Sequence, residues 1–172
     1  MIKRIVCVAG ALLGAVALSQ TPEYTQQYTQ RLAGAVDELT TIITRFDEDA
    51  ARFGLSREEG LERYQASPDD FLAGRGLSMQ AVFARHEALA AQLADLRAAG
   101  GMTKILSLTQ YFDSDVGAAA LEDFRPAVPV TLEGLAFALV GWVMGYALAW
   151  GGATTAAAPF RRRRPRVRVS RR

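Results

Sequence analysis

The chain has 172 residues, half of them apolar, and its net charge of +2 hides a sharp segregation. Residues 5–160 carry all 18 acidic side chains and ten basic ones, while the other ten basic residues sit at the two ends. Basic charge confined to the ends, with no aromatic residue after Phe160, argues against a nucleic-acid-binding face, and a single cysteine, Cys7, excludes an intramolecular disulfide.

Lys3 and Arg4 precede an apolar run from Ile5 to Leu18, closed by Ser19-Gln20-Thr21-Pro22. This length suits either the core of a secretory signal peptide, with Ala17-x-Ser19 as its cleavage site, or a short membrane anchor over residues 1–21. Both send the downstream chain across the membrane. Gly10 and Gly14 favour a retained anchor, because small residues four apart let another helix approach closely inside lipid.

Pro22 to Phe53 is predicted as one amphipathic helix with Thr21 as its N-cap. Leu32, Leu39, Phe46 and Phe53 recur every seven residues beside Val36, Ile43 and Ala50, a stripe that must be buried against something. Gly54 suits a left-handed C-cap. Ser56-Arg57-Glu58-Glu59 has the capping-box spacing, which predicts a short helix to Gln65. Residues 66–77 contain Pro68, Gly74 and Gly76 and read as a loop. Ser78 then caps a helix bearing Met79, Val82, Phe83, Leu89, Leu93 and Leu96, which Gly100-Gly101 stops. A short helix over Thr103–Phe112, and a turn or two capped by Asp113-Ser114-Asp115 and reaching Phe124, complete a helical region at 22–128.

Pro126 and Pro129 mark the entry to a second apolar segment, predicted as a helix from Val130 to Thr154 within residues 129–157. It leads into a basic tail, 158–172, containing Arg161, Arg162, Arg163 and Arg164. About twenty apolar residues are what a helix needs to span the hydrocarbon of a bilayer, and arginines and lysines collect on the cytoplasmic side. Lys3, Arg4 and Arg161 to Arg164 therefore set both termini inside, where they also meet anionic headgroups. The expected fold is all-α, with two transmembrane helices flanking an extracytoplasmic helical hairpin or small bundle.

Gly134, Ala138, Gly141, Gly145, Ala149, Gly152 and Ala156 succeed one another at steps of three and four along the second span. Lipid gives no hydrophobic drive between helices, so a face that admits close backbone approach is how packing is gained. Its partner is expected to be the Gly10/Gly14 face, the same helix of a second copy in a homo-oligomer, or a helical membrane-protein partner. Among ionisable groups, Glu133 lies at the outer end of the span, His86 reads as a lone exposed histidine, and Asp47-Glu48-Asp49 reads as a solvated face. No catalytic, cofactor-binding or metal-binding residues are expected, since no phosphate loop, paired zinc ligands or nucleophile with its base is present.

Two stretches carry a resemblance. Ser19-Gln20-Thr21-Pro22-Glu23-Tyr24-x-Gln26-Gln27-Tyr28-x-Gln30-Arg31-Leu32-x-Gly34, followed by Asp37-Glu38-Leu39, and Phe124-Arg125-Pro126-Ala127-Val128-Pro129-Val130-Thr131-Leu132-Glu133-Gly134 resemble an uncharacterised bacterial family of two-pass membrane proteins (DUF2937-like). The resemblance implies a retained anchor and an inner-membrane location, and no activity. It directs attention to Gln26, Gln27 and Gln30 as possible partner contacts, against the plainer reading of a polar helix leaving the headgroups. The function expected is a non-catalytic envelope scaffold or interaction protein. The alternative is an oligomeric transport or channel accessory with Glu133 as its ionisable group.

Overall fold

A computed structural model describes residues 1–161, which form seven helices and, among the described residues, no strand. They divide into two compact units, one of Met1–Glu23 together with the chain from Pro126 onward, the other of Tyr24–Arg125.

In the first unit, α1 (Ile2–Ser19) lies against α7 (Leu132–Arg161). α2 (Thr21–Arg52) begins one residue after α1 ends, and Gln20 between them keeps right-handed helical angles (φ −80°, ψ −11°). The predicted cap at Thr21 is therefore no cap. Pro22 lacks an N–H, so one rung of the helical ladder is missing at that point while the chain continues helical. The Ser19 hydroxyl turns back to donate to the Val16 carbonyl at 2.8 Å. Gln20 then reads the backbone of Ala127 as a peptide would, donating from Nε2 to its carbonyl (3.1 Å) and accepting its N–H at Oε1 (3.0 Å).

The second unit is a helical bundle. Its core holds Tyr28, Leu32 and Val36 from α2, and Leu89, Leu93 and Leu96 from α4 (Asp70–Ala98). Leu108 of α5 (Gly101–Gln110) and Val116 and Ala120 of α6 (Ser114–Glu122) close it. Each large side chain so buried contributes about 1.5–3 kcal/mol. Tyr28 pairs with Gln92, Thr40 with His86 and Phe46 with Phe83, so α2 and α4 run antiparallel.

One polar knot penetrates this core. Tyr28 Oη donates to Gln92 Oε1 (3.2 Å) and accepts the Asp113 N–H (3.0 Å), and Gln92 Nε2 donates to the Tyr111 carbonyl. Every buried side-chain polar atom there has a partner, and the knot ties the α5–α6 turn to both long helices. Phe112 stacks on Tyr28 at 5.5 Å between centroids, and the Tyr24 hydroxyl donates to the Gly117 carbonyl at 3.1 Å. Burial, with Tyr28 beside it, raises the pKa of the Tyr24 phenol.

Local signals place several boundaries where expected. The Ser56 hydroxyl accepts the Glu59 N–H (3.2 Å) and Glu59 returns a carboxylate to the Ser56 N–H (2.7 Å), a complete capping box for α3 (Arg57–Gln65). Gly54 takes φ +72° beyond the end of α2, and Asp113 caps α6 by accepting the N–H groups of Asp115 and Val116. The predicted loop at 66–77 is shorter. Asp69 caps α4 by accepting from Phe71, and the helix runs through Gly74 and Gly76. Ser78, read as a cap, instead donates to the Gly74 carbonyl within the helix at 3.0 Å. Gly76 is buried where α4 crosses α3, and a Cβ there would lie 3.0 Å from Tyr64 Cβ. Close packing, not chain breaking, accounts for that glycine. The apolar stripe of α2 also stops early: Leu39 and Phe46 are half-buried, but Phe53 is 77% exposed.

Candidate functional site

The first unit is built around a glycine contact. Two antiparallel helices can approach to backbone distance only where neither carries a side chain at the crossing, and the sequence supplies two such positions on each. Gly10 faces Gly145 and Ala149, and Gly14 faces Gly141 and Gly145. A Cβ on Gly10 would lie 2.6 Å from Ala149 Cβ and 2.8 Å from the Gly145 carbonyl oxygen. One on Gly14 would come within 3.1 Å of Gly145 Cα, and one on Gly141 within 2.9 Å of Leu18 Cβ. All these distances are well inside ordinary van der Waals contact.

Of the predicted association face, Gly10, Gly14, Gly141, Gly145 and Ala149 meet here within one chain. Gly134 is buried against its own Pro129 and Thr131, Ala138 is half-buried, and Gly152 faces open space. Cys7 and Ala11, 1% and 0% exposed, extend the contact on α1. Neither belongs to the predicted face, although Cys7, Ala11, Gly14 and Leu18 share the same spacing of three and four. At one end Lys3 Nζ stands 5.0 Å from the Trp150 ring, a cation–π contact. The outward faces are left exposed, among them Leu12, Leu13 and Val16 on α1 and Leu139, Val143 and Leu148 on α7. The continuous helical stretch Ile2–Arg52, which begins with α1, and Leu132–Thr155 of α7 are each long and apolar enough to cross a membrane, and only 17% and 11% of their most apolar windows are buried.

The glutamines separate. Gln26 and Gln30 are exposed on α2, whereas Gln27 is turned onto its own chain, donating to the Arg125 carbonyl (3.2 Å) and accepting the Arg125 N–H (3.3 Å). Glu133 is exposed in the first turn of α7. His86 corrects its prediction, being half-buried with Nε2 3.0 Å from Thr40 Oγ1. The single Thr40 proton goes to the Val36 carbonyl (2.8 Å), so His86 Nε2 is the donor in that pair. Asp47 is also engaged. Arg57 grips it through two hydrogen bonds of 2.8 and 2.5 Å, which lower the Asp47 pKa and raise that of Arg57. Among the described residues no three histidine, cysteine or acidic side chains group as metal ligands. Lys3 and Arg4 are exposed at the start of α1, and Arg161 ends α7. Arg162, Arg163 and Arg164 lie outside the described residues.

The family described as "Protein of unknown function (DUF2937)" matches residues 2–162. No curated protein and no solved structure matches the chain.

Proposed function

Since the chain belongs to the DUF2937 family, we propose that it is a two-pass protein of a bacterial inner membrane that serves as a non-catalytic envelope scaffold. Both termini then face the cytoplasm and residues 22–128 form a periplasmic helical region. The observation that carries this reading is the glycine contact of α1 with α7, whose apolar outer faces suit lipid. Antiparallel pairing of two spans returns the chain to the side where it began, and the basic residues at both ends favour the cytoplasmic side. Lys3 beside Trp150 fits an interfacial level, and Leu132 to Trp150 rises about 28 Å at 1.5 Å per residue, close to the hydrocarbon thickness.

Because the glycine face is occupied within the chain, contacts with a second copy or with a helical membrane-protein partner fall to other surfaces, with Gln26 and Gln30 of α2 the first candidates. Photocrosslinkers placed in living cells at Gln26, Gln30, Gly14 and Gly145 test this. Adducts to another protein are expected from the two glutamine positions. Intermolecular adducts from the glycine positions instead would show that the spans pair between chains, and the scaffold reading would have to be rebuilt.

A further inference from the structure

Where the end of α2, α3 and the start of α4 meet, the bundle leaves an open cleft of about 380 Å³. Its walls are Phe46, Phe53, Leu55, Tyr64 and Leu72, with Asp49 and Arg63 at the exposed edge. A space of this size lies at the low end of the range for small-molecule sites, about 300–1,000 Å³, and is too small to seat a protein partner by itself.

The charges at the rim are unequal. Asp49 is paired with Arg52 at 3.2 Å, whereas Arg63 makes no ion pair among the described residues. One guanidinium without an ion-pair partner therefore stands beside an apolar slot whose Phe53 ring is largely open to water. That combination calls for a ligand with a single negative charge and a long apolar body. A carboxylate matches the guanidinium fork with two hydrogen bonds, and the nearby Asp49 carboxylate disfavours a larger anionic headgroup.

We propose that this cleft binds a long-chain fatty acid, its carboxylate on Arg63 and its acyl chain laid along Phe46, Phe53 and Leu72. The test uses the full chain in phosphatidylcholine nanodiscs and a 16-carbon fatty acid with a photoreactive diazirine at the chain end. Adducts are mapped by mass spectrometry, and label on α1 and α7 reports probe merely dissolved in the bilayer. Adducts within residues 46–72 are expected, displaced by palmitate and not by hexadecanol. Arg63→Ala should require about tenfold more probe for the same labelling, the scale of one lost charge-assisted pair. Leu72→Trp should abolish the cleft adducts and leave the bilayer label unchanged. Helicity by circular dichroism confirms that both variants fold, and both positions are exposed. Label confined to α1 and α7, equal displacement by hexadecanol, or an Arg63→Ala variant that labels normally would overturn the assignment. So would stronger displacement by a lysophospholipid than by palmitate.

Discussion

Cys7 is the only thiol in the chain and is 1% exposed, which makes it an internal reporter of the α1–α7 contact. The informative perturbation is Gly14→Ile. A Cβ at Gly14 already falls 3.0 Å from the Gly141 carbonyl carbon and 3.1 Å from Gly145 Cα, whereas ordinary contact starts near 3.4 Å. Isoleucine adds three more carbons beyond that atom, so the helices must separate. Opening such an interface by 0.5–1 Å forfeits about a quarter to a half of its dispersion attraction, and overpacking a close-packed contact costs about 1–3 kcal/mol. If thiol alkylation proceeds from the separated state, its rate should rise about 5- to 150-fold. The assay is the maleimide labelling rate of Cys7 in the reconstituted full chain. Gly152→Ala is the control, since Gly152 has nothing within 4 Å of its notional Cβ. An unchanged rate in Gly14→Ile, or an equal rise in Gly152→Ala, would refute the backbone-to-backbone contact.

The second unit yields three further expected outcomes. Tyr28→Phe strands the Asp113 N–H and part of the Gln92 amide in the core, so it should cost about 1–3 kcal/mol in denaturant unfolding and speed amide exchange at Asp113. Gly54→Ala meets no neighbour but must hold φ +72°, and should lose about 1–2 kcal/mol of thermal stability from backbone conformation alone. The lowered Asp47 pKa means its pair with Arg57 stabilises the fold above the ordinary carboxylate range, and that contribution fades as pH falls through the folded value. Asp47→Asn should therefore be about 0.5–1 kcal/mol less stable at pH 7, a modest figure because the carboxylate is 37% exposed. The deficit should begin to shrink below about pH 4 and vanish only once the pH is under the lowered folded value.

Much of the helical order is legible in the sequence because it rests on contacts a few residues apart. The Ser56–Glu59 box, the Asp113 cap and the left-handed Gly54 all lie within such reach. The features that local sequence misleads on depend on distant partners. Gly74 and Gly76 have the composition of a loop, and the crossing of α3 explains why the helix keeps Gly76, whereas Gly74 meets nothing within 4 Å and has no such explanation. The heptad line runs on to Phe53, but nothing in that line says that the packing partner ends sooner. Gln27 cannot announce from its neighbours that Arg125 passes beside it. The glycine stripe stands between these cases: its spacing is plain, while the residues of α1 that it meets within the chain, Gly10 and Gly14 against Gly141 and Gly145, needed the fold.

The central claim is that α1 and α7 cross the membrane as a pair and leave the intervening residues on the far side. Single cysteines at Ser67 and Ser170, in a Cys7→Ala background, can be challenged with a membrane-impermeant maleimide in intact spheroplasts. With both spans inserted in this sense, Ser67→Cys is labelled from outside, and Ser170→Cys is labelled only after permeabilisation. Labelling of Ser170→Cys in intact spheroplasts, with Ser67→Cys protected, would contradict the claim.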